Sequence, residues 1–362
     1  MQPCASVDAL PPSRPPDRCP GILRPHVAAD GALVRLRVPG GQVPDGALRA
    51  LSDAAIAYAD GDVHLTSRGN LQLRGIGLDE CGAVPAGLAE VVTAAGLLPS
   101  ASHERVRNIV ASPLSGLAGG LTDVRPLARE LDAGLCADPV LADLPGRFLF
   151  GLDDGRGDVA ALRCDLTAVA LDDGTARIVV GGLAGPTVRL TQVPETLLRR
   201  ARRFVEIRES VWHVRQLPRA GAELGGTVSA PRPPAFTMPY GTIGDAVSVM
   251  VPLGILTPTM VAALPDSGVV VTPWRGLILP SGSNLVALRE TGFETIPDSP
   301  WQRVTACTGA PGCSLAGGDT RALARRIVAG DTTDSRIHVA GCERACGAPH
   351  SPHRLVFARS TP

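Results

Sequence analysis

The chain has 362 residues, with 35 Lys plus Arg balanced by 35 Asp plus Glu. It is long enough to split into two or more units with their own cores, and its zero formal charge gives no electrostatic case for nucleic acid or an anionic membrane surface as partner. No apolar run approaches the roughly 20 residues of a membrane-crossing helix, and aromatics are only 3% of the chain, so Ala, Val, Leu, Gly and Pro must build the core and turns.

The opening stretch, MQPCASVDALPPSRPPDRCPG, is proline-rich and lacks an apolar segment of signal-peptide length. Residues 1–20 are expected to be a disordered lead-in to a cytoplasmic protein. A repeated pattern follows. ALVRLRVPGGQVPDGALRALSDAAIAYADGDVHLTSRGNLQLRGI and, much later, DAVSVMVPLGILTPTMVAALPDSGVVVTPWRGLILPSG each predict strand, Pro-Gly turn, helix, strand, turn, strand. Val34, Leu36 and Val38 correspond to Val247, Val249 and Val251, ahead of Pro39 and Pro252, and Thr66 corresponds to Thr272. The fold class is therefore α+β with a duplicated half-domain.

Alternation sorts the strand residues by face. Arg35 and Arg37 oppose the apolar side of VRLRVP; Asn70, Gln72 and Arg74, near Arg68, oppose Leu71 and Leu73. The corresponding positions of the second copy are Ser248, Met250, Trp274, Gly276 and Ile278, so the polar face belongs to the first copy alone. A sheet face bearing several guanidinium groups suits a polyanionic ligand, because Arg pairs bidentately with carboxylates.

Between the copies, GLAGGLTDVRPLARELDAGL predicts a Gly-rich turn and helix, and the DDG stretches containing Asp153, Asp154, Asp172 and Asp173 predict turns capped by carboxylates. LLRRARRFVEIRESVWHVRQLPR (Leu197 to Arg219) is basic and helix-like, more in keeping with a solvated face than with a docking face for an electron donor. GAELGGTVSAPRPPAF (Gly221 to Phe236) is the expected linker.

The last quarter carries CTGAPGCSLAGGDT and GCERACGAPH. Five of the nine cysteines, Cys4, Cys19, Cys81, Cys136 and Cys164, are scattered and expected to be plain reduced thiols. Cys307, Cys313, Cys342 and Cys346 fall at C-x5-C and C-x3-C. Between the pairs, TRALARRIVAG predicts a helix over 320–330 and RIHVAG a buried strand delivering Cys342. Structural zinc sites favour C-x2-4-C pairs; four thiolates on wider loops suit an iron–sulfur cluster better. Of the seven histidines, His350 and His353 follow Cys346 closely enough to approach a cluster face, while His26, His64, His103, His213 and His338 carry no ligand signal.

VRLRVPGG, LTSRGNLQLRGI, ERVRNIVASP, LPGRFLF and the four cysteines together resemble the nitrite and sulfite reductase superfamily, over about residues 21–349. The resemblance implies two ferredoxin-like half-domains (21–100 and 237–296), a first α/β half-domain without cluster cysteines (101–220), a linker (221–236) and a shortened cluster-bearing half-domain (297–362). It also implies a [4Fe–4S] cluster on Cys307, Cys313, Cys342 and Cys346, with Cys346 nearest a tetrapyrrole. Arg35, Arg37, Arg68, Asn70, Gln72, Arg74, Arg107, Asn108 and Arg147 would line the tetrapyrrole site. A basic residue of the sulfite reductases is Leu149 here, and the chain stops 16 residues after Cys346 where reductases usually continue. CTGAPGC with GCERACGAP most closely resembles the precorrin-3B synthase family. That resemblance implies oxygen-dependent hydroxylation and lactone formation on precorrin-3A in cobalamin biosynthesis, with NADH as ultimate reductant and a further non-haem iron. No G-x-G-x-x-G fingerprint is present, so an electron-donating reductase is the expected partner. A siroheme-dependent sulfite or nitrite reductase is the alternative, and a non-catalytic cluster protein the third class.

Overall fold

The computed structural model describes residues 17–234, 236–330, 335–349 and 351–359. In chain order, the first unit contains β1 (His26–Ala28), β2 (Gly31–Leu36), α1 (Ala47–Tyr58), β3 (Val63–Leu65), β4 (Leu71–Ile76) and α2 (Ala86–Ala94). The second contains β5 (Ile109–Ala111), α3 (Arg125–Cys136), β6 (Phe150–Asp153), β7 (Leu166–Ala170), β8 (Thr175–Val180), β9 (Leu183–Arg189), α4 (Val193–Ile207) and β10 (Val228–Ser229). The third contains β11 (Gly241–Ile243), β12 (Ala246–Met250), β13 (Ile255–Leu256), α5 (Pro258–Ala262), β14 (Val270–Val271), β15 (Gly276–Pro280) and α6 (Leu285–Glu290). The last contains β16 (Val304–Ala306), α7 (Thr320–Gly330), β17 (Ile337–Ala340) and β18 (Arg354–Phe357).

The two copies of the repeat share one core. Val34, Leu36, Val38, Leu71 and Leu73 from the first pack with Val247, Val249, Val251, Leu277 and Leu279 from the second, beneath α1, α2, α5 and α6. They also pair across the boundary. β13 of the second copy pairs antiparallel with β3, completing the sheet β1-β2-β4-β3-β13, while Gln42 of the first bridges Val270 of β14. The Pro-Gly turns make the pairing possible. Gly41 has φ +73, and a Cβ there would lie 2.1 Å from the Val271 carbonyl oxygen, so only glycine lets the first turn seat on β14.

The other faces of the two sheets differ as the alternation predicts. In the second copy, Ala246, Met250, Val270 and Ile278 are closed over by Leu114, Met238 and Tyr240. The first copy keeps its arginines on that side. The intervening unit forms a six-stranded sheet, β10-β9-β8-β7-β6-β5, parallel through β5, β6 and β7 and antiparallel beyond. Residues of α3 and α4 cover one face, around Phe148, Phe150 and Phe204.

Two local expectations change. The predicted helix over 197–219 stops at Ile207, because Glu209 adopts φ +46 and cannot continue the turn. The stretch 221–236 is not only a connector, since Val228–Ser229 joins the edge of β9. The lead-in lies outside the described residues up to 16; Asp17 to Leu23 are pinned to Glu104, Arg105 and Gly146. Among the described residues no helix is long and apolar enough to cross a membrane.

Candidate functional site

The cysteine region is built on a three-stranded parallel sheet, β16-β17-β18, with α7 as the crossover. Cys307 follows β16 directly, and Gly341–Cys342 follow its neighbour β17, so the first cysteine of each pair leaves the same end of adjacent strands. The Cys307 N–H donates to Val339 O at 3.0 Å, and the Gly341 N–H donates to Cys307 Sγ at 3.2 Å. The Thr320 hydroxyl at the start of α7 donates to Cys307 O at 2.7 Å. The remaining cysteines come from the loops beyond. These interlock through Gly317 N–H to Gly341 O at 2.8 Å and Ala310 N–H to Gly318 O at 3.0 Å. Cys313 is half-buried and Cys346 exposed.

The spacing of the thiols bears on which group they fit. A tetrahedral zinc site, with Zn–S bonds of about 2.3 Å, would draw its sulfurs to within about 4 Å of one another. Among the described residues no three of these cysteine thiols lie within 4.8 Å of one another. A cluster takes one thiolate at each of four irons, and four thiols on two loops are the donor chemistry it would use.

The nine residues expected at the tetrapyrrole divide into two sets. Arg35, Arg37, Arg68 and Gln72 gather on the exposed-side face of the first sheet. Arg35 donates to Gln72 Oε1 at 3.4 Å, while its Nε is buried without a hydrogen-bond partner. Burial lowers the pKa of Arg35, with repulsion from Arg68 adding to it. Arg37, 1% exposed, bonds only backbone carbonyls, those of Arg105 and Arg35, and burial followed by repulsion from Arg35 pulls its pKa down to about 9. No carboxylate forms an ion pair with Arg35, Arg37 or Arg68 among the described residues. Guanidinium groups that repel one another and have no carboxylate in ion-pair contact, with only Cys19 and the more distant Glu104 offsetting the repulsion, are poised for an anion.

The second set has partners inside the protein. Arg107 grips Asp132 of α3 through Nε at 2.8 Å and Nη2 at 2.6 Å. Asn70 and Asn108 bond each other at 3.2 Å, and Asn108 also donates to the carbonyls of Arg105 and Gly146. Arg74 leaves the face of Gln72 altogether. A register shift between Ala32 and Val34 opposite β4, with Gly75 at φ +72, breaks the alternation that placed it there. Arg74 instead pairs with Asp30 and reaches into the C-x5-C loop, donating to Thr308 Oγ1 at 2.9 Å and Gly312 O at 3.0 Å. It fastens the cysteine loop to the first half-domain. Arg147 is exposed and lies over the Trp212 ring at 5.6 Å.

Leu149 is buried in an apolar patch with Val110, Val159 and Cys164, so no cation stands at that position. His338 is fully buried on β17, its Nδ1 2.9 Å from Thr305 Oγ1, and desolvation lowers its pKa to about 4. His353 contacts the His338 ring edge-on, and His350 lies outside the described residues, as does Cys4. Cys81, expected as a reduced thiol, is disulfide-bonded.

Two features escaped sequence reading. Asp153 and Asp154 cap the turn backbone as expected, accepting from the N–H groups of Gly155, Gly157, Ala160 and Arg156, but with Asp158 they also form a buried acidic trio. Arg156 neutralises Asp154, backbone N–H groups hold Asp153, and Ser112 donates to Asp158, whose Oδ2 has no hydrogen-bond partner and only a 3.9 Å ionic contact with Arg156. The second is Arg275, discussed below; its signal was the arginine standing in the repeat where the first copy has Gly69.

The shared core, strand pairing between the copies and parallel cysteine sheet define a duplicated α+β scaffold with a cysteine-bearing last unit, and comparison with known proteins agrees on the fold. Residues 26–91 match the nitrite/sulfite reductase ferredoxin-like half domain. The structure of the Mycobacterium tuberculosis NirA protein superposes with a TM-score of 0.64 over 86% of this chain and 68% of that one, at 21% identity. The chain thus has the duplicated nitrite/sulfite reductase-like fold. Among curated relatives, a precorrin-3B synthase from Sinorhizobium sp is 28% identical, with 94% of this chain and 80% of that protein aligned. Ferredoxin–nitrite reductases of Synechococcus elongatus and Leptolyngbya laminosa are 27% and 25% identical over 91% of this chain and 76% and 77% of theirs. This chain is thus similar to proteins of the nitrite/sulfite reductase type in sequence as well as in fold.

Proposed function

We propose that the chain is a precorrin-3B synthase-like mono-oxygenase, holding a [4Fe–4S] cluster on Cys307, Cys313, Cys342 and Cys346 and a polycarboxylate tetrapyrrole as substrate. The observation that carries the tetrapyrrole is the group of Arg35, Arg37 and Arg68 on one sheet face, none of them in an ion pair with a carboxylate among the described residues. Reduced tetrapyrroles are fringed with acetates and propionates, which such a face would neutralise. Arg35, Arg68 and Gln72 are the groups free to meet carboxylates, with Arg147 at the exposed edge. Arg37 supports them from beneath. Asn70, Asn108, Arg107 and Arg74 hold the framework.

The reaction proposed consumes precorrin-3A, dioxygen and two electrons with two protons. One oxygen atom enters the macrocycle as a hydroxyl at a bridge carbon, with lactone closure by a ring acetate, and the other leaves as water. The cluster, when bound, supplies electrons singly. The chain's own residues bind and orient the macrocycle and keep its carboxylates paired. NADH is the proposed ultimate reductant, delivered through a separate reductase, and a further non-haem iron is part of the proposal without assigned ligands. The cytoplasm is the proposed location.

The siroheme reductase reading draws on the two nitrite reductase relatives. Against it stands Leu149, apolar and buried where sulfite reductases carry a basic residue for a small anion. Incubation of the anaerobically purified protein with precorrin-3A, a chemical reductant and isotopically labelled dioxygen tests the choice. The mono-oxygenase gives a product heavier by one labelled oxygen atom. An unaltered tetrapyrrole, with nitrite or sulfite consumed instead, would move the assignment to the reductases.

A further inference from the structure

The turn before the last strand of each repeat is the same in both copies. Thr66 N–H donates to Asn70 O at 2.9 Å and Asn70 N–H returns to Thr66 Oγ1 at 3.1 Å; Thr272 and Gly276 repeat both bonds at 2.9 and 3.1 Å. The fourth residue of the turn is left-handed in both copies, Gly69 at φ +65 and Arg275 at φ +57. Glycine adopts that conformation freely, whereas arginine is strained in it. An outlier of this kind, kept where the sister copy shows the unstrained solution, points to a demand on the side chain.

Its surroundings show where the guanidinium is sent. The stem runs over Gly254, where a Cβ would lie 3.1 Å from Arg275 Cδ. The head arrives at the second cysteine loop, where a Cβ on Gly347 would lie 3.5 Å from Arg275 Nη2, one residue beyond Cys346. Its charge also reaches the His338 ring on β17. No acidic side chain pairs with it among the described residues, and burial alone lowers its pKa. A strained turn and two glycine clearances thus deliver an unpaired cation to the cysteine loops.

We propose that Arg275 is the cationic partner of the negative charge that Cys307, Cys313, Cys342 and Cys346 gather when they hold their cluster. The inference rests on the cluster reading above. Four thiolates outweigh the charge of the iron–sulfide core, and each electron added deepens the excess. A fixed guanidinium beside the most exposed thiolate stabilises the reduced form more than the oxidised one, and so raises the reduction potential.

Arg275→Gly is the direct test, because it restores the residue of the sister turn and so is expected to fold at least as stably as the parent. Wild type, Arg275→Gly and Arg275→Lys are purified without oxygen, assayed for iron and sulfide, melted, and titrated reductively. The expected result is equal cluster content and an equal or higher melting temperature for Arg275→Gly, with its cluster reduced only at more negative potential. Arg275→Lys should stay near wild type. Cluster loss in the Gly variant but not the Lys variant would equally support a charge role. Equal potentials in wild type and Arg275→Gly, with clusters intact, would overturn the proposal. If tetrapyrrole retention alone weakened, the guanidinium would belong to a ligand carboxylate and the proposal would again fall. Wild-type protein lacking iron and sulfide would instead defeat the cluster reading itself.

Discussion

Arg107 and Arg35 carry the same charge in opposite circumstances. Arg107 meets Asp132 with two short hydrogen bonds, and the pair neutralises itself. Arg35 has a long bond to Gln72 and a buried Nε with nothing to donate to. The cost of that arrangement in the free protein is what a bound carboxylate would relieve. Asp158 shows the same logic with the opposite charge. Desolvation raises its pKa to about 7, with repulsion from Asp153 and Asp154 in the same direction and the Ser112 hydroxyl opposing. Because the folded-state pKa lies above the ordinary carboxylate value of 3.8, the native protein binds more protons than the unfolded chain between those limits. Stability therefore falls as pH rises from about 4 to about 7 on account of this group. The Asp158→Asn variant should lose that part of the pH dependence, gaining relative to wild type as pH rises. Urea unfolding of both proteins at several pH values checks it; parallel profiles would mean that Asp158 is ionised throughout.

At the scale of elements, the C-x5-C loop is tied to the first sheet by one side chain. Arg74 reaches Thr308 and Gly312 while held by Asp30, so the loop's position depends on a residue more than 200 positions away in sequence. Arg74→Leu should lower iron and sulfide content although every cysteine is retained, with the chain still folded because the core of β2 and β4 is untouched. Full cluster content in Arg74→Leu would show that the loop is positioned by its own backbone bonds to 341. The role of Arg74 was not legible in the sequence. Alternation placed it beside Gln72, and the bulge opposite Ala32 and Val34 that turns it away leaves little mark beyond Gly75. α7, spanning Thr320–Gly330, and β17 were legible because amphipathic period and terminal glycine agree locally. The end of α4 at Ile207 was not, since Glu209 takes a left-handed conformation that its residue type does not announce.

Across the whole molecule, duplication followed by divergence explains the division of labour. Both copies supply strands and helices to one core; the second lends β13 to the first sheet, and Gln42 of the first bridges Val270 of the second. One then keeps a cationic face, and the other buries the corresponding face under Met238, Tyr240 and Leu114. That asymmetry was visible from residue types alone, because period-2 alternation assigns faces without knowledge of the fold. Which arginines would be consumed internally was not visible, because Asp132 and Asp30 approach from elements whose packing no local pattern specifies. The central claim is that this scaffold carries a cluster and takes its tetrapyrrole as substrate rather than as resident cofactor. The visible absorption spectrum of protein purified without oxygen, measured with iron and acid-labile sulfide, tests it most directly. The account predicts a broad, weak brown absorbance with sulfide present and no sharp tetrapyrrole bands. Intense sharp bands extending into the red would mean bound siroheme and contradict it, as would a colourless protein containing zinc.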